Sequence, residues 1–504
     1  MTVAQPSPSR DRRCAWFLFF FLNAVFILTS TGRIHTQDEN MTLLTTESLA
    51  LRQTTELADS EIPNGFFGRY DIHGRARAAY GFAHSAVLVP WFMIGDALGQ
   101  NLPGVPETAA TFAVAFFAVL SSATFSAGTI ALMFMLFRAL AIPLGTSLLA
   151  ALAIAFGTPI FAYSAWLFSE PLITLLVVAA AYACFGIPDS EEISARRGFW
   201  AGLFLGYAVM VRPSVIILIP IFVLAILVAR RRNGLRAALD LVLMVCLGTA
   251  LSLAYNTAVF GSPFEFGYPA VAEGGKQLNT GHIPFLHGLR AFLFSPGKSI
   301  FIFAPTVLLS IAAMPRLWRR NRGLAVLTCG ALVAYLLFFS RYAHFEGGFC
   351  YGPRYFLPVL TLLAVAVGIY FHEVPKRWRV FGYAVVLAGF AVQVLGISIN
   401  FTEAALAGGY YDAHWDYRIG YNAITQHLQV LSKYLWDPNP APAGLGFDRW
   451  FVFLHRQGFS NGALWEIATP VLCIALASAY GLYRCVRQHQ RESVAVMDSA
   501  STAS

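Results

Sequence analysis

Runs of about twenty apolar residues recur along this chain, and they restrict its fold more than any other feature. A helix rises ~1.5 Å per residue, so twenty residues cross the roughly 30 Å hydrocarbon core of a bilayer. The first run covers 15–31, and others lie near 109–137, 143–161, 168–187, 198–211, 213–229, 238–260, 299–314, 323–340, 355–371, 380–399 and 466–485. Backbone groups in lipid must be satisfied within their own segment, so these runs read as helices. Composition agrees: 57% hydrophobic and 12% charged residues, against roughly 45–50% and 25% in soluble domains. The expected fold class is all-α, a polytopic integral membrane protein with about twelve transmembrane helices (range about 11–13). Residues 1–485 would form a single integral domain, and 486–504 a disordered cytoplasmic tail.

The formal charge of +8 raises the question of a nucleic-acid partner. Lys and Arg fall instead in short clusters between apolar runs, and no basic stripe with interleaved aromatics marks a nucleic-acid groove. Basic clusters favour the cytoplasmic side and meet anionic lipid there. With a cytoplasmic N-terminus, Arg138, Arg196-Arg197, Arg230-Arg231-Arg232, the basic residues of 316–322, Lys376-Arg377-Arg379 and those of 484–491 all fall inside. Both termini are then cytoplasmic. Arg10, Arg12 and Arg13 before the first run resemble a signal peptide, yet the run is long and lacks a small-x-small cleavage site, so it reads as a retained helix. Seven scattered cysteines without a C-x-x-C pair argue against a disulfide framework or a zinc site.

Two segments decide this topology. The stretch 79–99 contains His84, Pro90, Trp91 and Asp96 and is kept outside as an interfacial or re-entrant helix, although its length would permit a crossing. The stretch 198–229 exceeds one crossing and is broken at Arg212-Pro213, because proline cannot continue the helical ladder and disfavours helix at the residue before it. One long kinked helix is the equal alternative.

Four external stretches remain: 32–108, 261–298, 341–354 and 400–465. They hold nine of the eleven histidines, His35, His73, His84, His282, His287, His344, His414, His427 and His455, and most of the acidic residues. An ionised carboxylate is costly in hydrocarbon, so Asp38-Glu39, just beyond the first helix, should sit in water or in a hydrated cavity at the bilayer face. Four further segments stand out: Ser169-Glu170-Pro171-Leu172, Arg212-Pro213, the stretch 256–268 (NTAVFGSPFEFGY) and the stretch 346–358 (EGGFCYGPRYFLP).

In this order and placement, these motifs resemble the GT-C superfamily of membrane glycosyltransferases, which includes protein O-mannosyltransferases, the lipid A aminoarabinose transferase and oligosaccharyltransferases. The likeness is greatest to bacterial members with mannosyltransferase-like domains, and it covers residues 15 to about 370. Asp38-Glu39 matches the superfamily's acidic motif in the first external loop. The resemblance implies a GT-C-like fold with interfacial helices in that loop, placed in the bacterial inner (plasma) membrane. It also implies inverting transfer of a sugar from a polyprenyl-phosphate donor to a glycan, lipid or protein acceptor at the external face, among membrane lipids.

On that resemblance Asp38 is the base or acceptor-orienting carboxylate, and Glu39 its partner or a contributor to metal binding. Proton transfer of this kind supplies about 10²–10⁴-fold in rate. Arg354, Arg212, Lys298 and Arg341 are candidates for the donor phosphate, arginine through its planar fork and lysine as a point charge. Each could instead anchor a helix to lipid headgroups. Arg354 is the strongest, since Tyr351-Gly352-Pro353-Arg354-Tyr355 joins a turn, a cation and two aromatics before an apolar helix. Tyr351 belongs to the same donor site. Glu170 can serve the sugar or simply suit a helix N-terminus with Ser169 as N-cap. His344 and Glu346, two positions apart, could hold acceptor or metal, or form an ordinary loop hydrogen bond. A divalent cation therefore stays open as a cofactor.

Stretch 400–465 is rich in aromatics (Tyr410, Tyr411, Trp415, Tyr417, Tyr421, Tyr434, Trp436, Trp450, Trp465), and Ile424, Leu428, Leu431 and Leu435 form a helical stripe that would lie on the bilayer or pack on a helix. Residues 437–442 (DPNPAP) form a turn-rich connector. A multi-pass transporter or lipid flippase is the competing class; it would place ionisable residues near the midplane. A binding or assembly protein is the third.

Overall fold

The computed structural model describes residues 8–58, 66–101, 107–186, 194–229, 232–267, 283–342, 344–348, 350–407, 422–436 and 447–502. The aromatics Tyr410, Tyr411, Trp415, Tyr417 and Tyr421, the connector 437–442, Arg230, Arg231, His282 and His414 lie outside them.

Almost every described element is a helix. Helix α1 (Pro8–Leu28) leads to α2 (Gln37–Glu47), which widens into a π-helical turn at Ser48–Arg52. A small antiparallel hairpin follows, β1 (Gly68–Tyr70) and β2 (Ala76–Ala78), with Arg69 opposite Arg77. Helices α3 (Phe82–Asn101) and α4 (Glu107–Ala139) come next, then α5 (Leu144–Gly157), the single turn α6 (Ile160–Tyr163) and α7 (Glu170–Phe185). Helix α8 (Ala195–Val211) stops at Arg212, and a 3-10 turn at Pro213–Leu218 opens α9 (Ile219–Val228). Helices α10 (Gly234–Phe260), α11 (Phe285–Phe294), α12 (Ile300–Phe303), α13 (Thr306–Arg320) and α14 (Arg322–Phe339) precede the 3-10 turn Arg354–Phe356. The chain closes with α15 (Leu357–Leu363), α16 (Val365–Glu373), α17 (Lys376–Ser398), α18 (Phe401–Ala407), α19 (Ala423–Trp436), α20 (Trp450–Arg456) and α21 (Asn461–Thr502).

Among the described residues, seven helical stretches are long and apolar enough to cross a membrane: Phe82–Gln100, Thr111–Ala139, Gly234–Phe260, Arg322–Phe339, Arg354–Glu373, Lys376–Ser398 and Asn461–Glu492. The chain is an all-α, polytopic membrane protein. Several other apolar runs fold as shorter helices, including Leu144–Gly157, Glu170–Phe185 and Pro213–Val228. The run at 143–161 stops at Gly157 because Thr158 turns extended before Pro159. Residues 158–169 then form the connection that carries part of the cavity wall. A continuous apolar pattern hides such stops, since periodicity marks a buried face and not the place where a helix ends.

Two groups of contacts define the ends of the bundle. At one end Arg138 of α4 donates to Asp11 of α1 at 2.9 Å, Arg10 pairs with Glu492 of α21, and Arg320 of α13 lies 3.2 Å from Glu373 of α16. At the other, the start of α2 and the turns after α8 and α10 meet around a cavity. The break at Arg212-Pro213 reverses the chain: α8 rises toward the cavity beside α10, and α9 runs away from it, with Ala225 against Gly323 at the start of α14. The two-helix reading of 198–229 holds, and the kinked single helix does not.

Close packing of α8 on α10 depends on small residues. A Cβ added at Gly198, Gly202 or Gly206 would sit 2.2, 2.4 or 2.8 Å from the carbonyl oxygen of Ala237, Leu241 or Met244, so only glycine permits this approach of two backbones.

Helix α3, formed by the segment kept outside, is long enough to cross but packs along the cavity-side half of α4. Tyr207 near the cavity end of α8 donates to the Ala83 carbonyl at 2.7 Å, the Trp91 ring lies 5.5 Å from that of Phe125, and Gly95 closes on Ala113 and Val114. The helix therefore leads away from the Asp11–Arg138 end.

Two elements differ from the sequence reading. Stretch 261–298 contains a helix, α11, that was read as loop. Helix α21 continues to Thr502, where a disordered tail was expected from 486. Helix α19 turns Ala423, Gln426 and His427 inward and leaves Leu428 half exposed, with Ile424 and Leu431 between. His427 Nδ1 lies 2.6 Å from the carbonyl of Ala423 one turn earlier in the same helix, and its ring packs 5.0 Å from that of Tyr351.

Candidate functional site

The cavity is assembled from the turns that end the helices. Thr36 caps α2: its hydroxyl accepts from the Glu39 amide at 3.2 Å, while Glu39 Oε2 accepts from the His35 and Thr36 amides at 2.8 and 2.9 Å. This reciprocal box fixes where the helix starts. Glu39 Oε1 accepts in addition from the Leu167 amide at 2.8 Å. One buried carboxylate thus joins the first loop to the connection ahead of α7, and it sets Asp38, one residue earlier, at the cavity wall.

Four charged groups form a chain at that wall: Asp38, Arg212 and Arg354 line it, and Glu170 lies behind them. Arg354 Nη1 donates to Asp38 Oδ2 at 2.9 Å, and its Nε to Glu170 Oε1 at 2.7 Å. Arg212 Nη1 donates to the same Glu170 oxygen. The Arg354 guanidinium also lies 4.1 Å above the centre of the Phe168 ring, and that of Arg212 4.9 Å from the Tyr355 ring. Two positive and two negative groups are held in one chain of contacts, so the cluster tolerates burial that an isolated charge would not. Side-chain exposure separates their tasks: 28% for Asp38, 16% for Arg212, 5% for Arg354 and 1% for Glu170.

Local sequence explains each placement. Arg212 is extended, at φ −148° and ψ 112°, because Pro213 follows it. Glu170 opens α7 with Pro171 in the first turn, as expected, but Ser169 makes no side-chain cap. Arg354 follows a turn in which Gly352 has φ +73° and packs so tightly on Phe303 that a Cβ would lie 2.5 Å from the ring.

The space in front of this cluster measures about 870 Å³, counting the part open at its mouth. His84, Phe82, Tyr80, Tyr255, Asn256 and Phe260 complete much of the wall. None of these was singled out as a site residue from sequence, although the stretch 256–268 did mark the end of α10. His84 Nε2 is buried and has no hydrogen-bond partner among the described residues. Tyr255 is fixed from behind: its hydroxyl donates to Thr55 Oγ1 at 3.0 Å, which also accepts from Arg77 at 2.7 Å. Arg77 in turn is held by Asp71, at 2.9 and 3.0 Å. Burial would raise the Asp71 pKa, but donors from Arg75, Arg77 and His73 outweigh it and bring it down to about 2.

The other expected site residues lie elsewhere. Glu39 is fully buried and outside the cavity wall. Lys298 is buried behind the 350–354 turn, its Nζ donating to the Gly352 carbonyl at 2.9 Å and lying 3.2 Å from Cys350 Sγ. Tyr351 is buried too, its hydroxyl donating to the Val392 carbonyl at 2.7 Å. These two support the turn that carries Arg354. Arg341 is exposed beside α14 and does not line the cavity. His344 and Glu346 do meet, at 3.4 Å, but among the described residues no three His, Cys, Asp or Glu side chains are grouped to hold a metal ion.

Fold and site together define a polytopic helical membrane protein with a paired-charge cavity at one end of its bundle. The chain is similar in structure to ArnT from Cupriavidus metallidurans, a GT-C glycosyltransferase, in the apo state (14% identity, TM-score 0.48) and bound to undecaprenyl phosphate (14% identity, TM-score 0.44); each match covers 93% of this chain and 75% of that one. No family model and no curated protein matches the chain.

Proposed function

We propose that this chain is an inverting glycosyltransferase. It would move a sugar from a polyprenyl-phosphate carrier to an acceptor hydroxyl at the external face of the membrane. The observation that carries this reading is the direct pairing of Asp38, the most exposed acid of the cluster, with Arg354. A base that must receive a proton from an incoming hydroxyl needs access. A cation that must hold a leaving phosphate needs rigidity and a dry flank.

The chemistry runs in one displacement. The acceptor oxygen attacks the anomeric carbon, its proton passes to Asp38, and the bond from that carbon to the phosphate oxygen breaks. Polyprenyl phosphate departs with the electron pair. Arg354 and Arg212 meet the growing phosphate charge, and Glu170 holds the two guanidiniums side by side. Charge-assisted hydrogen bonds of this kind are roughly twice as strong as neutral ones, and they act where charge develops. Tyr255, Phe82 and Tyr80 offer aromatic surface to the sugar, and His84 Nε2 a hydrogen bond. Glu39 acts by positioning Asp38, and Lys298 and Tyr351 by supporting Arg354.

The orientation draws support from charge placement. Arg10, Arg138, Arg320 and the basic C-terminal part of α21 lie at the end opposite the cavity; positive residues favour the cytoplasm. The cavity then opens outward, in the bacterial inner membrane, with both termini inside. A glycan, a lipid or a protein fits the acceptor role.

The test uses purified full-length protein in lipid nanodiscs, a panel of polyprenyl-phosphate sugars and a mixed acceptor pool, with and without chelator. Expected is sugar transfer with stoichiometric release of polyprenyl phosphate, lost in Asp38→Asn at unchanged abundance. Translocation of intact lipid-linked sugar, with none released, would overturn the proposal in favour of a flippase.

A further inference from the structure

A second buried ionic cluster lies behind Asp38 and outside the cavity wall. Asp448, in the short segment ahead of α20, is 1% exposed. One of its carboxylate oxygens pairs with the Arg33 guanidinium, and the other lies 2.7 Å from His35 Nε2. His35 Nδ1 is in turn 4.0 Å from Glu39 Oε2, the oxygen that caps α2. Asp448 thus reaches across more than four hundred positions of sequence to hold the loop from which Asp38 projects.

We propose that Asp448 is a positioning residue for Asp38. Its carboxylate clamps Arg33 and His35 together, and through His35 and the Glu39 capping box it fixes the first turn of α2. The consequence for turnover rests on the glycosyltransferase reading; the clamp itself does not.

Geometry around the segment separates the carboxylate from the backbone that carries it. The Trp450 amide donates to the Ser30 carbonyl at 3.3 Å, the Asp448 amide donates to the Ser398 carbonyl at 3.2 Å, and Phe447 bridges Ile399. Trp450 is buried, its ring 5.8 Å from that of Phe116. These contacts survive removal of the Asp448 charge, so the segment stays in place while its hold on the loop is lost. A second route leads from His35 to the cavity through rings: Phe401 lies 6.2 Å from His35 and 6.0 Å from Phe168, and Phe168 lies beneath Arg354. The charged groups around His35 are Asp448, Glu39 and Arg33.

The experiment compares wild type, Asp448→Asn and Asp448→Glu, full length in nanodiscs, by hydrogen exchange of amides 35–40 and by donor kinetics. In Asp448→Asn those amides should exchange at least about tenfold faster while the amides of α8 and α10 are unchanged. The kcat should fall at least about tenfold with donor KM within about twofold, as expected when geometry and not binding is lost. Asp448→Glu should recover part of both. Unchanged exchange at 35–40 overturns the clamp, and so does faster exchange throughout the bundle, which marks a general structural role. Altered local exchange with unchanged kcat, in a protein that transfers sugar, overturns the link to Asp38. If wild type transfers no sugar, the glycosyltransferase reading fails, and local exchange alone decides the clamp.

Discussion

Arg354 donates from Nη1 to Oδ2 of Asp38 at 2.9 Å, which under the proposed function pairs the base directly with the phosphate anchor. On that reading a phosphate drawn to Arg354 would compete for the same nitrogen and free Asp38 for the acceptor hydroxyl. The two residues then act as a unit, and their losses should not add. Asp38→Asn and Arg354→Ala should each lower kcat/KM by about 10²–10⁴-fold, and the double variant should be no more than about threefold worse than the poorer single one. A full four-variant cycle measures this; additive losses would separate the two roles.

Glu170 is the countercharge for two arginines on one oxygen, at 1% side-chain exposure. Glu170→Gln leaves both guanidiniums against a neutral amide. Breaking a buried ion pair from one side costs about 3–5 kcal/mol. The unfolding midpoint should fall accordingly in detergent. An unchanged midpoint with abolished transfer would instead make Glu170 a participant in the reaction.

Glu39 accepts backbone hydrogen bonds on both carboxylate oxygens. Glutamine keeps one acceptor and turns the other into a donor facing an N–H, a loss of about 1–3 kcal/mol. Glu39→Gln should therefore lower stability and reduce kcat less than Asp38→Asn does. Equal kinetic losses at unchanged stability would assign Glu39 to the chemistry.

Much of the site was legible in the sequence because the constraint is local there. Proline after Arg212 forces a turn, Gly352-Pro353 forces another, and an acidic pair just past a membrane helix has to find water or partners. The division of labour inside that pair was not read from the sequence: Asp38 and Glu39 differ by one step around a helix, and the Thr36–Glu39 capping box together with the distant Leu167 amide turns Glu39 away from the cavity. Lys298 reads as a phosphate ligand for its charge and Tyr351 for its place in the motif with Arg354, yet both support the 350–354 turn from behind. His84 and Tyr255 stayed hidden because each sits in an apolar helix whose pattern reads as packing. Nothing near Asp448 suggested Arg33 and His35 as partners, which is the ordinary fate of contacts between the ends of a long chain.

The Asp448 cluster also fixes a dependence on pH. Burial would lower the His35 pKa, and Arg33 adds to that, but the Asp448 carboxylate 2.7 Å away and the nearby Glu39 raise it above its ordinary value of about 6.5. Burial would raise Asp448, and His35 and Arg33 bring it below the usual carboxylate range. A raised histidine binds its proton more tightly in the folded state, so its contribution is complete below pH of about 6.5 and is lost as pH rises through the folded value. A lowered aspartate contributes above pH of about 3.9 and loses that contribution as pH falls through its folded value. The cluster is therefore strongest between those limits. Wild-type unfolding free energy should decline on the alkaline side, by at most about 1.4 kcal/mol per pH unit for one proton, and the decline should be absent in Asp448→Asn. Denaturant titrations of both proteins from pH 5 to about pH 9 measure it, at fixed ionic strength because salt screens exposed pairs more than buried ones. An identical alkaline slope in both proteins would mean that His35 does not titrate against Asp448.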